Sequence, residues 1–237
     1  YADVIEMPAS NVAYLFYHNL KNEKSNYDEI QTVIILNDQS KKTFKFSKEK
    51  LEIVEKKMGV VNKVVDFAST EEAKAFEQSI LKMTRSIPIN ASGLAEIVAA
   101  GGQLGITKDK LLDFTQVTAK MSTAFEMNAA DAGESSATLM NIFGLSVAGV
   151  SNLGDALNHL SDNSASKAKD LVNVLARVGG NSKLLKITAE QTASLASAFL
   201  AMGKPAEVTG TAINAIFQKL GTADKQGKKF QDALKQM

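Results

Sequence analysis

Cysteine and tryptophan are absent from the 237 residues, histidine occurs twice, proline three times, and aromatic residues make up only 6%. Without cysteine there is no disulfide framework, no thiol nucleophile and no thiolate metal site, a composition that suits a protein assembled in a cytoplasm. So few rings exclude a large aromatic recognition surface. With Ala, Ser and Gly abundant, helices must approach closely and be filled by small side chains. An excess of either charge is missing too: 27 basic residues stand against 26 acidic ones. Residues 1–65 hold 10 and 9 of these, which leaves 17 and 17 for the rest. Neither part is a polycation, so phosphate-neutralising nucleic-acid binding is disfavoured. No stretch reaches the roughly 18–20 continuous apolar residues of a membrane-spanning helix. The chain opens on Tyr1 with no charged region before an apolar run, which reads as an excerpt or a processed chain.

What is present is helical periodicity with a longer repeat above it. Ile106-Thr107, Leu145-Ser146 and Ile187-Thr188 each pair a hydrophobe with a hydroxyl residue and open a new amphipathic stretch. The starts lie 39 and 42 residues apart (145 minus 106, 187 minus 145). A period near 40 predicts one helical hairpin repeated, each copy too small to bury its own apolar face. Nothing catalytic recurs with it, which points to a scaffold or interaction protein.

The expected fold class is mainly α, with repeated helical hairpins forming a compact bundle or short superhelix after a small N-terminal α+β element. The β-rich runs 32–36 and 42–46, separated by Asn37-Asp38-Gln39-Ser40, predict a hairpin. Ser47 then caps a helix carrying Leu51, Val54, Met58 and Val61 on one face, and a short helix is expected over Val12–Leu20. Ser69-Thr70-Glu71-Glu72 fits a capping box for a helix to about Ser86, and Pro88 forces a break. Asn90 caps the next helix, which Gly101, Gly102 and Gly105 end or loosen. Thr107 caps a helix with Leu111, Phe114, Thr118, Met121 and Phe125 on one stripe. Further helices are expected at 131–143, 150–160, 166–178, 189–202 and 205–220, with Gly144, Gly179-Gly180, Gly203 and Gly221 at their ends. The division expected is residues 1–65, an α+β region of unknown role, and 66–237, a helical core.

No catalytic, cofactor-binding or metal residue stands out. His18 and His159 each lack a second ligand at helical or hairpin spacing and read as structural. Gly101-Gly102-Gln103-Leu104-Gly105 follows a helix, where nucleotide loops follow a strand, and no Gly-Lys-Ser/Thr completes it; its expected role is helix termination. Glu71, Glu72, Asp109, Asp113, Glu126, Asp131, Glu134, Asp155 and Asp170 fall mostly at helix starts or on polar faces. The lysines at 41, 42, 45, 48 and 50, and at 225, 228 and 229, are interleaved with acids and read as solvated faces. Small residues at Ala95-Ala99-Ala100 and Ala193-Ala196-Ala198 would let a second chain approach, so self-association is the function the bare residues support best.

The run 86–106, SIPINASGLAEIVAAGGQLGI, resembles the core of phage tail tape measure proteins, with its Pro, its Leu-Ala-x-Ile helix and its Gly-Gln-Leu-Gly-Ile. The likeness continues through Asp113-Phe114-Thr115, Gly144-Leu145-Ser146, residues 153–160 (LGDALNHL), Arg177-Val178-Gly179-Gly180, 188–191 (TAEQ) and Met202-Gly203. Each string is weak alone; their order and spacing over about 66–237 carry the resemblance. It implies a component of a phage, prophage or contractile-particle tail. Such a protein acts in assembly and tail-length determination, in the virion tail and in the host cytoplasm while tails are built. The tail tube, tail-tip or baseplate proteins and assembly chaperones are the implied partners. No catalytic residue, cofactor, metal or small-molecule substrate carries over, and the peptidoglycan-cleaving motifs of some relatives are not found. The residues alone also fit a cytoplasmic helical-repeat adaptor that binds a peptide or protein in a groove. An enzyme is disfavoured by the lack of convergent side chains.

Overall fold

A computed structural model describes residues 29–35 and 41–235 of the chain. The architecture is mainly α. An antiparallel hairpin of β1 (Glu29–Ile35) and β2 (Lys41–Ser47) comes first, with Ile30 opposite Phe46 and Thr32 opposite Phe44. Ten α-helices follow among the described residues: α1 (Lys48–Val64), α2 (Thr70–Met83), α3 (Ala91–Gln103), α4 (Lys108–Ala124), α5 (Ala129–Phe143), α6 (Val147–Asn163), α7 (Ala168–Leu184), α8 (Ala189–Ala201), α9 (Ala206–Gly221) and α10 (Lys228–Lys235). A 3-10 turn at Ala223–Lys225 separates the last two. The helix expected at Val12–Leu20 lies outside the described residues.

Two compact units emerge. The first comprises the hairpin, α1 to the penultimate residue of α4, and the start of α5 to Glu134; the second takes residues 124–127 and everything from Ser135. In the first, Leu51, Met58 and Val61 of α1 are buried, as their 7- and 3-residue spacing on one helical face requires, and α1 lies along α3. Ile80, Leu94, Ile97, Leu111 and Phe114 complete that core. In the second, Leu153, Leu157, Leu171, Val174, Leu175, Val178 and Ile213 are fully enclosed. Each such side chain contributes on the order of 1.5–3 kcal/mol through burial. Helices α7 and α9 run parallel: Arg177 lies beside Gly210, Asn181 beside Asn214 and Leu185 beside Gly221. Helix α8 packs against both.

The repeat has a concrete cause in the connections. Among the described residues, five helices end on a residue in the left-handed region followed by one residue and then the helix-opening position: Gly105-Ile106-Thr107, Glu126-Met127-Asn128, Gly144-Leu145-Ser146, Lys186-Ile187-Thr188 and Gly203-Lys204-Pro205. In three of them the middle amide donates back into the finished helix: Ile106 to the Gly101 carbonyl, Leu145 to Met140 and Ile187 to Ser182, each at 2.9 Å. This bond satisfies a carbonyl that a helix end otherwise orphans. The next residue then starts the new helix. Ser146 Oγ accepts from the Gly149 amide at 3.1 Å, and Thr188 forms a reciprocal box with Gln191. One such link joins one helix to the next, so the 40-residue period is two helices.

Lys186 sits at φ 58° with a Cβ that this region penalises. Lys186→Gly is expected to stabilise the second unit by about 0.5–1 kcal/mol, and Thr188→Ala to destabilise it by about 1 kcal/mol. Denaturant titration of the two variants reads both signs.

Two expected helix ends move. Gly101-Gly102 lie inside α3, and Gly179-Gly180 lie inside α7, which continues to Leu184 and not to 178. At Gly101 a Cβ would meet Phe114 at 2.9 Å, and at Gly179 one would meet Ile142 Cγ2 at 2.6 Å. These glycines let neighbouring helices approach; they do not stop their own.

Candidate functional site

His159 is exposed on the last turns of α6, its Nδ1 3.3 Å from Asn163 Nδ2, while Asn163 also donates to the His159 carbonyl at 2.8 Å. His18 lies outside the described residues. Among the described residues no three His, Asp or Glu side chains gather into a metal-holding group. At residues 101–106 the amides of Leu104, Gly105 and Ile106 all donate to carbonyls of α3, so none points outward to cradle a phosphate.

The acids at helix starts behave as helix caps. Ser69 Oγ accepts from the Glu72 amide at 3.2 Å, and Glu72 Oε2 accepts from the Ala68 amide at 2.7 Å, one residue further back than the expected box. Lys108 reaches Glu72 at 2.6 Å and stands 5.9 Å over the Phe67 ring, which tilts against Phe76 at 5.3 Å. The start of α4 is thereby tied to the start of α2. Glu72 is held below its ordinary range by the Lys108 hydrogen bond first and the Ala68 amide second. Asp109 is lowered chiefly by the Thr107 hydroxyl, and Glu71 by its own backbone amide ahead of Ser69.

A carboxylate whose folded value is depressed stabilises fully above its unfolded value and loses that contribution as pH falls through the folded one. Stability is therefore expected to decline as pH falls through the ordinary glutamate range, about 4.3, toward the lower folded value of Glu72. Glu72→Gln should have a shallower decline when melting is followed between neutral and acidic pH.

Between α1 and α3, beside the first turns of α5, a groove of about 360 Å³ is floored by Val60, Ala95, Ala99 and Ala100. Lys57 and Glu96 pair across its edge at 2.9 Å, and Gln103 and Glu134 also line it. The alanines read as openings for a second chain are largely taken up by the chain itself. Ala95, Ala193 and Ala196 are fully buried, because the chain's own helices already occupy the space that small side chains leave.

The second unit holds two polar clusters that no sequence motif announces. Ser164, Ser166 and Ser197 form a triangle of hydroxyls with sides of 2.6, 3.0 and 2.9 Å, tying the α6–α7 connection to α8. Asn181 donates to Asn214 at 2.8 Å, and Asn214 donates to the Arg177 carbonyl at 3.2 Å, joining α7 to α9. Partners 31 to 37 residues apart leave no local signature; the serine-rich run 161–166 was the only cue. The arrangement offers packing surfaces and polar staples.

A family model described as phage-related minor tail protein matches residues 77–237. A probable tape measure protein of Halomonas phage phiHAP-1 is 31% identical over 193 residues, covering 75% of this chain and 22% of the relative. The chain thus spans about a fifth of that relative's length. No solved structure matches. With the family model covering well over half of the residues, the chain belongs to the phage-related minor tail proteins.

Proposed function

We propose that this chain is part of a tape measure protein acting in phage tail assembly and tail-length determination, by structure and contact and without bond-making chemistry. The observation that carries it is the 31% identity, over 193 residues, to a relative named a probable tape measure protein. Residues 66–237 are the tape-measure-like block and residues 1–65 a separate region. Tail tube subunits, tail-tip or baseplate proteins, assembly chaperones and further copies of the chain are its partners, in the virion tail and, during assembly, the host cytoplasm.

Helices folded back on one another span little distance per residue, so this block anchors or multimerises and the ruler lies elsewhere in the protein. Two deletions in the encoding phage test the reading, with tails measured by electron microscopy. Loss of the gene should leave no tails or tubes of uncontrolled length; tails of normal length overturn the role. Removal of the Thr188–Gly221 hairpin, 34 residues, should reduce the number of tails while completed ones keep their length. Shortening by about 50 Å, the length of that segment as one extended helix, would make the block the ruler itself.

A further inference from the structure

The groove between α1, α3 and the first turns of α5 lies wholly within the first unit. It exists because the residues along it are small: Ala95 and Ala99 are buried at its bottom, Ala100 and Val60 are half-buried above them, and Ala130 is exposed on its α5 wall. Leu104, at one end, is 37% exposed. Helices α1 and α3 run the same way along it, since Lys57 pairs with Glu96 and Val64 stands against Gly102. From Glu96 to Leu104 is eight residue steps, about 12 Å of helix.

The stretch Val12–Leu20, where the sequence predicts a helix outside the described residues, also covers eight steps, about 12 Å. On a helix, Val12, Ala13, Phe16, Tyr17 and Leu20 share an arc of about 140°, with Asn11, Tyr14, His18 and Asn22 on the other side. Leu15 alone of the aliphatic residues departs from this pattern.

The tether also fits. Glu29 pairs with Ser47, the residue before α1, so residues 21–28 join the fold at the start of that helix. Lys57 and Val60 stand about 14 and 18 Å along α1 from Lys48. Residues 21–28 are eight in number and extend to about 28 Å at most. They reach the Lys57–Glu96 end of the groove with slack and the Leu104 end, about 12 Å further, only when fully stretched.

We infer that this groove is a docking site for an amphipathic helix, and that its occupant is the chain's own segment 12–20, with Val12, Phe16 and Leu20 set onto the alanines. Anchors at this spacing are the usual means by which a helix is held in a groove. The tether selects the direction, placing Leu20 beside Glu96 and Val12 beside Leu104, antiparallel to α3. Charge agrees with it. Lys57, Glu96 and Glu134 give the lining one net negative charge, and Lys21 is the one charged residue between Ala9 and Asn22. The inference does not rest on the tail role proposed above, and either can fail without the other.

Because the chain has no cysteine, introduced thiols report alone. In the full chain, Val12→Cys with Leu104→Cys should form a disulfide within one molecule under mild oxidation. Tyr14→Cys with Leu104→Cys, on the other side of the segment, should link far less. Adding Phe16→Glu to the first pair places a charge in the contact and should abolish the link. No link within the chain, equal linking at 12 and 14, or a link that survives Phe16→Glu overturns the docking. Links formed only between molecules overturn the occupant, because a second copy then fills the groove. Tyrosine emission is an independent reading, since the four tyrosines stand at 1, 14, 17 and 27 and tryptophan is absent. Its protection from acrylamide should fall in Ala130→Glu, which narrows the groove from an exposed position, while circular dichroism confirms the fold. Unchanged protection overturns the site.

Discussion

Phe114→Ala is expected to lower the unfolding free energy of the first unit by about 3–5 kcal/mol, the cost of removing a fully buried ring from a core that cannot close over the space. Phe114 is 0% exposed and, among the described residues, is the largest fully buried side chain. Its ring stands where a side chain on residue 101 would otherwise be: Cε1 lies 2.9 Å and Cδ1 3.0 Å from the position a Gly101 Cβ would take. Glycine has nothing to move into the cavity, and Leu111, the other neighbour at that point, is itself 1% exposed and held in place. Phe114→Leu keeps most of the volume and should cost under about 1.5 kcal/mol. Denaturant titration with unchanged m-values reads the difference. A loss below about 1 kcal/mol for the alanine variant would mean that α3 and α4 can repack around residue 101, contrary to the close approach seen there.

Signals that act over four residues were legible in the chain. Ser69, Asn90, Ser146 and Thr188 were each read as helix-opening residues from type and position, and each side chain accepts from the amide three residues on. The β-hairpin and the buried stripes of α1 and α4 follow equally from period. Signals that depend on what lies opposite were not legible. Glu126 and Lys186 take the left-handed position that glycine fills in the matching turns; Ile187-Thr188 still marked the second of these links, while the Glu126-Met127-Asn128 link was hidden by side-chain identity. The serine triangle and the Asn181–Asn214 bond need the tertiary fold before they exist. The resemblance to tape measure proteins rested on ordered short strings, most of them turns and close helix contacts, which is why the family was readable where individual roles were not.

The adjacent glycines of α7 separate these two kinds of information in one measurement. Read as a helix end, Gly179 and Gly180 should respond alike to substitution. In the structure they are interior positions of one helix with opposite surroundings: a Cβ on 179 would lie 2.6 Å from Ile142 Cγ2 and 2.9 Å from Phe143 Cε2, while one on 180 meets nothing within 4 Å. Gly180→Ala is therefore expected to stabilise by up to about 1 kcal/mol, the intrinsic preference of a helix for alanine over glycine. Gly179→Leu gains part of the same preference but must push Ile142 and Phe143 off α7, and is expected to destabilise by about 2 kcal/mol net. Ile142 and Phe143 are half-buried and their far atoms can yield, so the single methyl of Gly179→Ala should cost less than leucine. Equilibrium unfolding of the three variants, with helicity followed by circular dichroism, decides the matter. Shifts of the same sign at 179 and 180 would return both residues to the helix terminus and remove the close approach of Ile142 and Phe143 to Gly179.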